Sequence, residues 1–229
     1  MESPALLQRE GEVLYYFMKT HTTALPAFTL VELLTVVTII SILSTFGLAA
    51  TRGATEKTRT TRCLNDLRQV GMAIQMFTGE SGGRLPSVDH AQQISWTNSL
   101  GAFLGTNFIG RCPALQGYPE MIKVTYGWND MLVASDTGEG IPMARVSQPS
   151  TTIVLAEKQS GGITLDHFHF RAPLESRGRI SMAAFQSEVN TTAHGSKANY
   201  LFIDGHAESL SSNETRIRLA STNPRFLVP

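Results

Sequence analysis

From Leu33 to Thr51 every residue is apolar, small or hydroxylated and none is charged, and one acid, Glu32, sits near the start of an apolar run that opens at Phe28. At about 1.5 Å of rise per residue such a run matches a hydrocarbon core of roughly 30 Å. Residues 28–51 are therefore predicted to form a single membrane-crossing helix. A secretory signal peptide also carries an apolar core, but that core is usually only about 7–15 residues long and has no use for an acid at its front. A lone carboxylate inside such a span is costly in lipid, which points to a function and a specific partner.

Past the span the pattern changes to one apolar stripe. Cys63, Leu67, Val70, Ile74 and Phe77 recur at alternating steps of four and three, the spacing of one helix face. Residues 52–80 are read as an amphipathic continuation of the first helix, giving one helix of about 50 residues with Gly47 and Gly53 as candidate bend points. Ser81-Gly82-Gly83 is a strong stop, and Leu85-Pro86 begins something extended.

Residues 84–229 then read as a β-rich globular domain. A short helix is expected around Trp96–Leu104. Extended pieces are expected at Met121–Trp128, Thr152–Glu157, Ile163–Phe170, Ile180–Phe185 and Asn199–Ile203, each bounded by Gly, Pro, Asn or Ser. Asp204-Gly205, between two strand-like arms, is a strong hairpin signal because Gly tolerates positive φ. In the polar tail, Arg216–Leu219 allows a short turn of helix. The fold class is α+β.

Charge narrows the function. The chain has 19 basic and 19 acidic residues; losing residues 1–27 removes Arg9, Lys19, Glu2, Glu10 and Glu12, which leaves a near-neutral balance. Nucleic-acid binding needs a clustered basic surface, so no nucleic-acid partner is expected. Arg52 to Arg68 is interleaved with Glu56 and Asp66 and reads as a solvated helix face. Two cysteines, Cys63 and Cys112, permit a single pairing. A disulfide would close a loop of about 50 residues, worth about 3–4 kcal/mol in the chain-entropy account; two buried thiols packed as small apolar groups remain the alternative. No CxxC occurs, and two cysteines without ligand spacing make a poor case for zinc.

The segment FTLVELLTVVTII resembles the processing segment of type IV prepilins and type II secretion pseudopilins. The resemblance implies a leader, residues 1–27, cut between Ala27 and Phe28 by a prepilin peptidase that also methylates the new amine of Phe28. It implies that Glu32 serves assembly, by pairing with the amine of a neighbouring subunit. Ala27 stands where the family has Gly. The leader is long and acidic for that family, and Met18 is an alternative start. Arg52, Lys57, Arg59 and Arg62 follow the span, which by charge alone would favour the opposite orientation; the resemblance places the N-terminus in the cytoplasm and the domain outside the bacterial inner membrane. A second resemblance lies in His194-x9-Asp204-Gly205, residues 194–205, together with CLNDLRQVGMAIQMF, GGRLP, Cys112-Pro113, YGWN and PSTTIVLAE, which follow the order of one group of prepilin-type proteins. That group implies a long N-terminal helix packed on an antiparallel sheet.

Candidate chemistry is sparse. An extended strand would hold His194 and Asp204 roughly 33 Å apart, so they are not expected to share a ligand. Asp204 and Gly205 are read as turn builders and His194 as a hydrogen-bonding residue. Asp166, His167 and His169 form another cluster, but alternation puts both histidines on one strand face and Asp166 on the other, as on a solvated strand. His206 and Asp204 give two ligands, a weak metal site. No GxSxG, HExxH or P-loop occurs, so neither an enzyme, a cofactor nor a metal is expected. Two classes stay open: a pilin-like subunit that assembles with other such subunits, and a membrane-tethered binding module that does not polymerise.

Overall fold

In the computed structural model the described residues are 28–89, 94–105, 108, 110–115, 118, 124–134, 137–160, 166–168, 180–221 and 226–227; of 47–52 only the backbone is described. The first helix, α1, runs Leu30–Glu80, 51 residues, and is helical through Gly47 and Gly53. The chain divides between Ala50 and Thr51 into two units. The leader 1–27, with Met18 and Ala27, lies outside the described residues.

In the first unit every large apolar side chain from Phe28 to Phe46 is exposed, from 45% at Val36 to 81% at Leu30. A helix that is apolar all round offers water no favourable face. Among the described residues no helix is long and apolar enough to cross a membrane. The uncharged run continues in sequence to Thr51, beyond the last described side chain of the segment, Phe46.

The second unit is a sheet covered on both faces. Its strands are β1 (Tyr126–Asn129), β2 (Ile153–Glu157), β3 (His167–Phe168), β4 (Lys197–Phe202) and β5 (Ala207–Ser211), in the spatial order β3-β1-β2-β4-β5. One face meets the later part of α1, whose Cys63, Leu67, Val70, Ala73 and Ile74 share a core with Val154, Leu155, Leu201, Ile203, Tyr126 and Trp128. The other face carries α3 (Met182–Glu188) and α4 (Ser212–Ala220) over Ile153, Ala156, Ala198, Tyr200 and Phe202. Strand β2, buried throughout, reads as a nearly continuous apolar run for this reason. Its register shifts between Ile153 and Leu155, so Val154 and Leu155 both face α1, and the alternation that resumes turns Glu157 to that face as well.

The stop at residues 81–83 forms as the sequence predicts. Gly82 and Gly83 have φ of 63° and 81°, and the N–H groups of Ser81 and Gly83 donate to the Phe77 and Thr78 carbonyls at 2.8 and 2.9 Å. The Asp204-Gly205 turn joins β4 to β5 with Gly205 at φ 93°. Around Trp96, helix α2 covers only Trp96–Ser99 before the chain breaks into turns.

Four expectations need correction. The sheet is mixed, not antiparallel: β3 runs parallel to β1, with Trp128 opposite His167. Ile180–Phe185 is not a strand, because the Ser181 hydroxyl accepts from the Ala184 N–H at 3.1 Å and caps α3, whose Met-Ala-Ala start favours helix. Within Met121–Trp128 the ladder begins only at Tyr126, residues 121–123 lying outside the described residues; within Ile163–Phe170 the described strand is His167–Phe168. The tail helix α4 is longer than the sequence implied, because Ser211 and Glu214 form a reciprocal capping box.

Gly71 is where α1 and the β4–β5 turn approach most tightly. A Cβ there would lie 2.7 Å from the Gly205 carbonyl oxygen and 3.0 Å from Leu201 Cδ1, and Gln75 Nε2 donates to the Ile203 carbonyl at 2.9 Å alongside. Gly71→Ala is predicted to cost about 1–3 kcal/mol, whereas Gly79→Ala, with nothing within 4 Å of its added Cβ, should be neutral or stabilising. Denaturant unfolding of the full chain in detergent checks this; equal midpoints for the two variants would rule out the close approach.

Candidate functional site

Four elements of the second unit converge on His194. Thr60 and Cys63 come from α1, Cys112 from the segment before β1, Glu157 from the end of β2, and Asn199 from the α1-facing side of β4. His194 itself stands in the turn before β4, its N–H donating to the Lys197 carbonyl at 2.9 Å. Cys63 and Cys112 are joined as a disulfide with their Cα atoms 5.2 Å apart. His194 Nε2 lies 2.6 Å from Glu157 Oε1, 3.0 Å from Asn199 Nδ2 and 3.5 Å from Cys112 Sγ. The cluster is sealed: Cys63 and Glu157 have no exposed surface, and Cys112 and His194 are 2% and 8% exposed.

The hydrogen bonds decide which ring nitrogen carries the proton. The Thr60 hydroxyl donates to the Glu56 carbonyl at 3.0 Å, so its oxygen accepts from the Nδ1–H of His194 at 3.1 Å. In the neutral ring Nε2 is then the bare lone pair. The Asn199 amide is oriented independently: Ser209 Oγ donates to its Oδ1, while its Nδ2 also reaches the Thr60 carbonyl at 3.3 Å. Its backbone N–H donates to Glu157 Oε2 at 2.9 Å. Burial pushes the Glu157 carboxyl above the usual carboxylate range, against the hydrogen bond and charge of His194 and the Asn199 N–H. Burial first, and the Glu157 charge second, push the Tyr118 hydroxyl up to about 12. Burial likewise pushes the Tyr126 hydroxyl up, so both tyrosines stay neutral near pH 7.

The residues singled out by sequence separate here. His194 joins Cys63 and Cys112, but Asp204 does not join it. Asp204 lies at the hairpin turn, where its Oδ1 accepts from the His206 N–H at 3.1 Å and meets His206 Nδ1 at 2.6 Å, with both side chains partly exposed. His167 does not stand on a solvated face and is not turned away from Asp166. It is 1% exposed, and its Nδ1 meets Asp166 Oδ1 at 3.0 Å. The Asp166 carbonyl accepts from the Trp128 N–H and the Trp96 indole at 2.8 and 3.0 Å, which gives this stretch a structural task. His169 lies outside the described residues. Sequence reasoning missed Thr60, Glu157 and Asn199, which become visible only when the β2 register shift and the alternation along β4 are known.

At the other end of the chain Glu32 has a local partner. Its Oε2 accepts from the Thr29 N–H at 2.9 Å and the Thr29 hydroxyl at 2.8 Å, and Thr29 Oγ1 accepts from the Glu32 N–H at 3.2 Å. This is a capping box, and Thr29-x-x-Glu32 was its signal in the sequence. Farther along, Thr35, Thr38, Ser41, Ser44 and Thr45 each donate to a carbonyl of their own helix, at 2.9, 2.8, 2.6, 2.7 and 2.6 Å. The described polar side chains of residues 29–46 are thus satisfied inside the segment itself.

A concavity of about 650 Å³ is lined by α1 alone, among others by Lys57, Arg62, Asp66 and Gln69, so it is a groove along a charged helix face. Compared with protein-family models, curated proteins and solved structures, the chain matches none.

The raised Glu157 carboxyl sets a pH dependence. A carboxyl that holds its proton more tightly when folded contributes stability below its ordinary value of 4.5, and that contribution is lost as pH rises through the higher folded value. Denaturant unfolding across this range is predicted to show wild type losing stability relative to Glu157→Gln as pH rises. A difference independent of pH would contradict a protonated buried acid.

Proposed function

We propose that this chain is a membrane-anchored, pilin- or pseudopilin-like structural subunit, cut between Ala27 and Phe28, methylated at Phe28, and assembled with like subunits through its apolar helix. The observation that carries this reading is the segment Leu30–Phe46. All its large apolar side chains point outward without protein cover, and each of its hydroxyls bonds back to its own backbone. Such a surface is costly in water and suited to lipid or to the flank of an identical helix, where no polar group is left unpaired. The resemblance of FTLVELLTVVTII to prepilin processing segments supplies the class of assembly. The bacterial inner membrane is the place proposed for the helix, with the lobe outside the cytoplasm, where a Cys63–Cys112 disulfide persists.

In the assembled state Glu32 would exchange its Thr29 cap for the amine of a neighbouring subunit, an ion pair that fixes register more than it adds stability. The cap itself favours a second reading, a tethered binding module, because it gives the acid a task that needs no second subunit. Glu32→Gln separates the two readings: a capping box accepts Gln as well as Glu, but the charge is gone. Under the filament reading Glu32→Gln and Glu32→Leu both abolish assembly, scored by shearing and microscopy of cells expressing the chain, while membrane insertion persists. Assembly retained by Glu32→Gln would favour the module. N-terminal sequencing of the exported protein is predicted to begin at methylated Phe28; a start beyond Ala50 would remove the anchor and with it this reading.

A further inference from the structure

We propose that Cys63, Cys112, Glu157 and His194 are the ligand set of a buried site for one divalent transition-metal ion of the zinc class, filled when the two cysteines are reduced and closed when they are joined. The proposal does not rest on the filament reading.

Two sulfurs, one imidazole nitrogen and one carboxylate oxygen are a donor set that zinc takes in tetrahedral geometry. One ligand atom from each of the four residues lies within 4.8 Å of all the others. Zinc bonds of about 2.0–2.3 Å place tetrahedral ligand atoms roughly 3.3–3.8 Å apart. The His194–Cys112 edge at 3.5 Å already falls in that range, and the His194–Glu157 edge at 2.6 Å is shorter and must lengthen by about 0.7 Å to reach it. Opening the disulfide therefore lets the site form by side-chain shifts on the order of 1 Å, without displacement of an element.

The surroundings are already those of a ligand site. Thr60 holds the Nδ1–H of His194, so Nε2 carries the lone pair, on which an ion would replace the Asn199 Nδ2–H at 3.0 Å. Asn199 fixes Glu157 from behind through Oε2, leaving Oε1 to face the same centre. The fully buried Glu157 carboxyl meets the bare Nε2 of His194 across a proton of its own, and a divalent ion takes that proton's place between the same two atoms. Sequence spacing hid the set because its members come from α1, the segment before β1, the end of β2 and the turn before β4.

The exchange balances in atoms and electrons. Two thiols of a small-molecule reductant give two electrons to the Cys63–Cys112 bond and become one disulfide. The protein sulfurs pass to the ion as thiolates and Glu157 as its carboxylate, and the two thiol protons and the Glu157 proton go to solvent. A newly made chain carries the thiols already and needs no reductant. Oxidation by a disulfide donor reverses the steps and expels the ion.

The test titrates Co²⁺ into the full chain in detergent micelles, prepared reduced and metal-free, and then displaces it with Zn²⁺. The expected result is one Co²⁺ per chain with a thiolate-to-cobalt charge-transfer band and tetrahedral d–d bands, all removed by stoichiometric Zn²⁺. The oxidised wild-type chain, the same sequence with no substitution, should show neither band. His194→Ala and Glu157→Gln, checked for fold by circular dichroism, should weaken binding by roughly 100-fold or more, and Asp204→Asn at the exposed turn should leave it unchanged. The proposal is overturned if the reduced, folded chain shows no charge-transfer band in excess cobalt. It is equally overturned if the oxidised chain binds as well as the reduced one, or if folded Glu157→Gln and His194→Ala both bind like wild type.

Discussion

A carboxyl group with no access to water is the constraint around which the second unit is arranged. Glu157 ends the central strand β2, and each of its oxygens has a partner, His194 for one and the Asn199 N–H for the other. Leaving such a group unmatched would cost more than a typical hydrogen bond contributes. The turn that carries His194, the strand that carries Asn199 and the helix that carries Thr60 must therefore arrive together. The β2 register shift is what turns Glu157 toward α1 rather than toward α3 and α4.

The apolar segment Leu30–Phe46 solves the opposite problem. Its residues give every described polar side chain a partner within a turn of helix, so its exposed surface is mainly apolar and carries no unpaired polar side chain. The lobe gathers polar groups from four distant parts of the chain to satisfy one another, whereas this segment needs no distant residue at all. That difference explains why the segment is legible from sequence and the lobe's central cluster is not.

Local signals were readable wherever a short-range rule governs the outcome. The stripe from Cys63 to Ile74 is buried as its spacing implies, Ser81–Gly83 ends α1, and Asp204-Gly205 turns the β4–β5 hairpin. Where two local rules competed, the apolar pattern misled: Ile180–Phe185 looks extended until the Ser181 cap is recognised, and Glu32 looks orphaned until Thr29 is. Non-local facts were out of reach. The parallel pairing of β3 with β1, the burial of His167, and the meeting of Glu157 with His194 depend on strand order and on one irregular residue in β2, which hydropathy alone does not encode.

The covalent tie at Cys63 also decides how force would travel through the molecule. Tension applied along α1 divides at Cys63: one path continues down the helix to Glu80, while the other crosses directly through Cys112 into the strands. The stretch between the two sulfurs is thereby a loop in parallel with a shortcut, and its weaker turns are shielded from load.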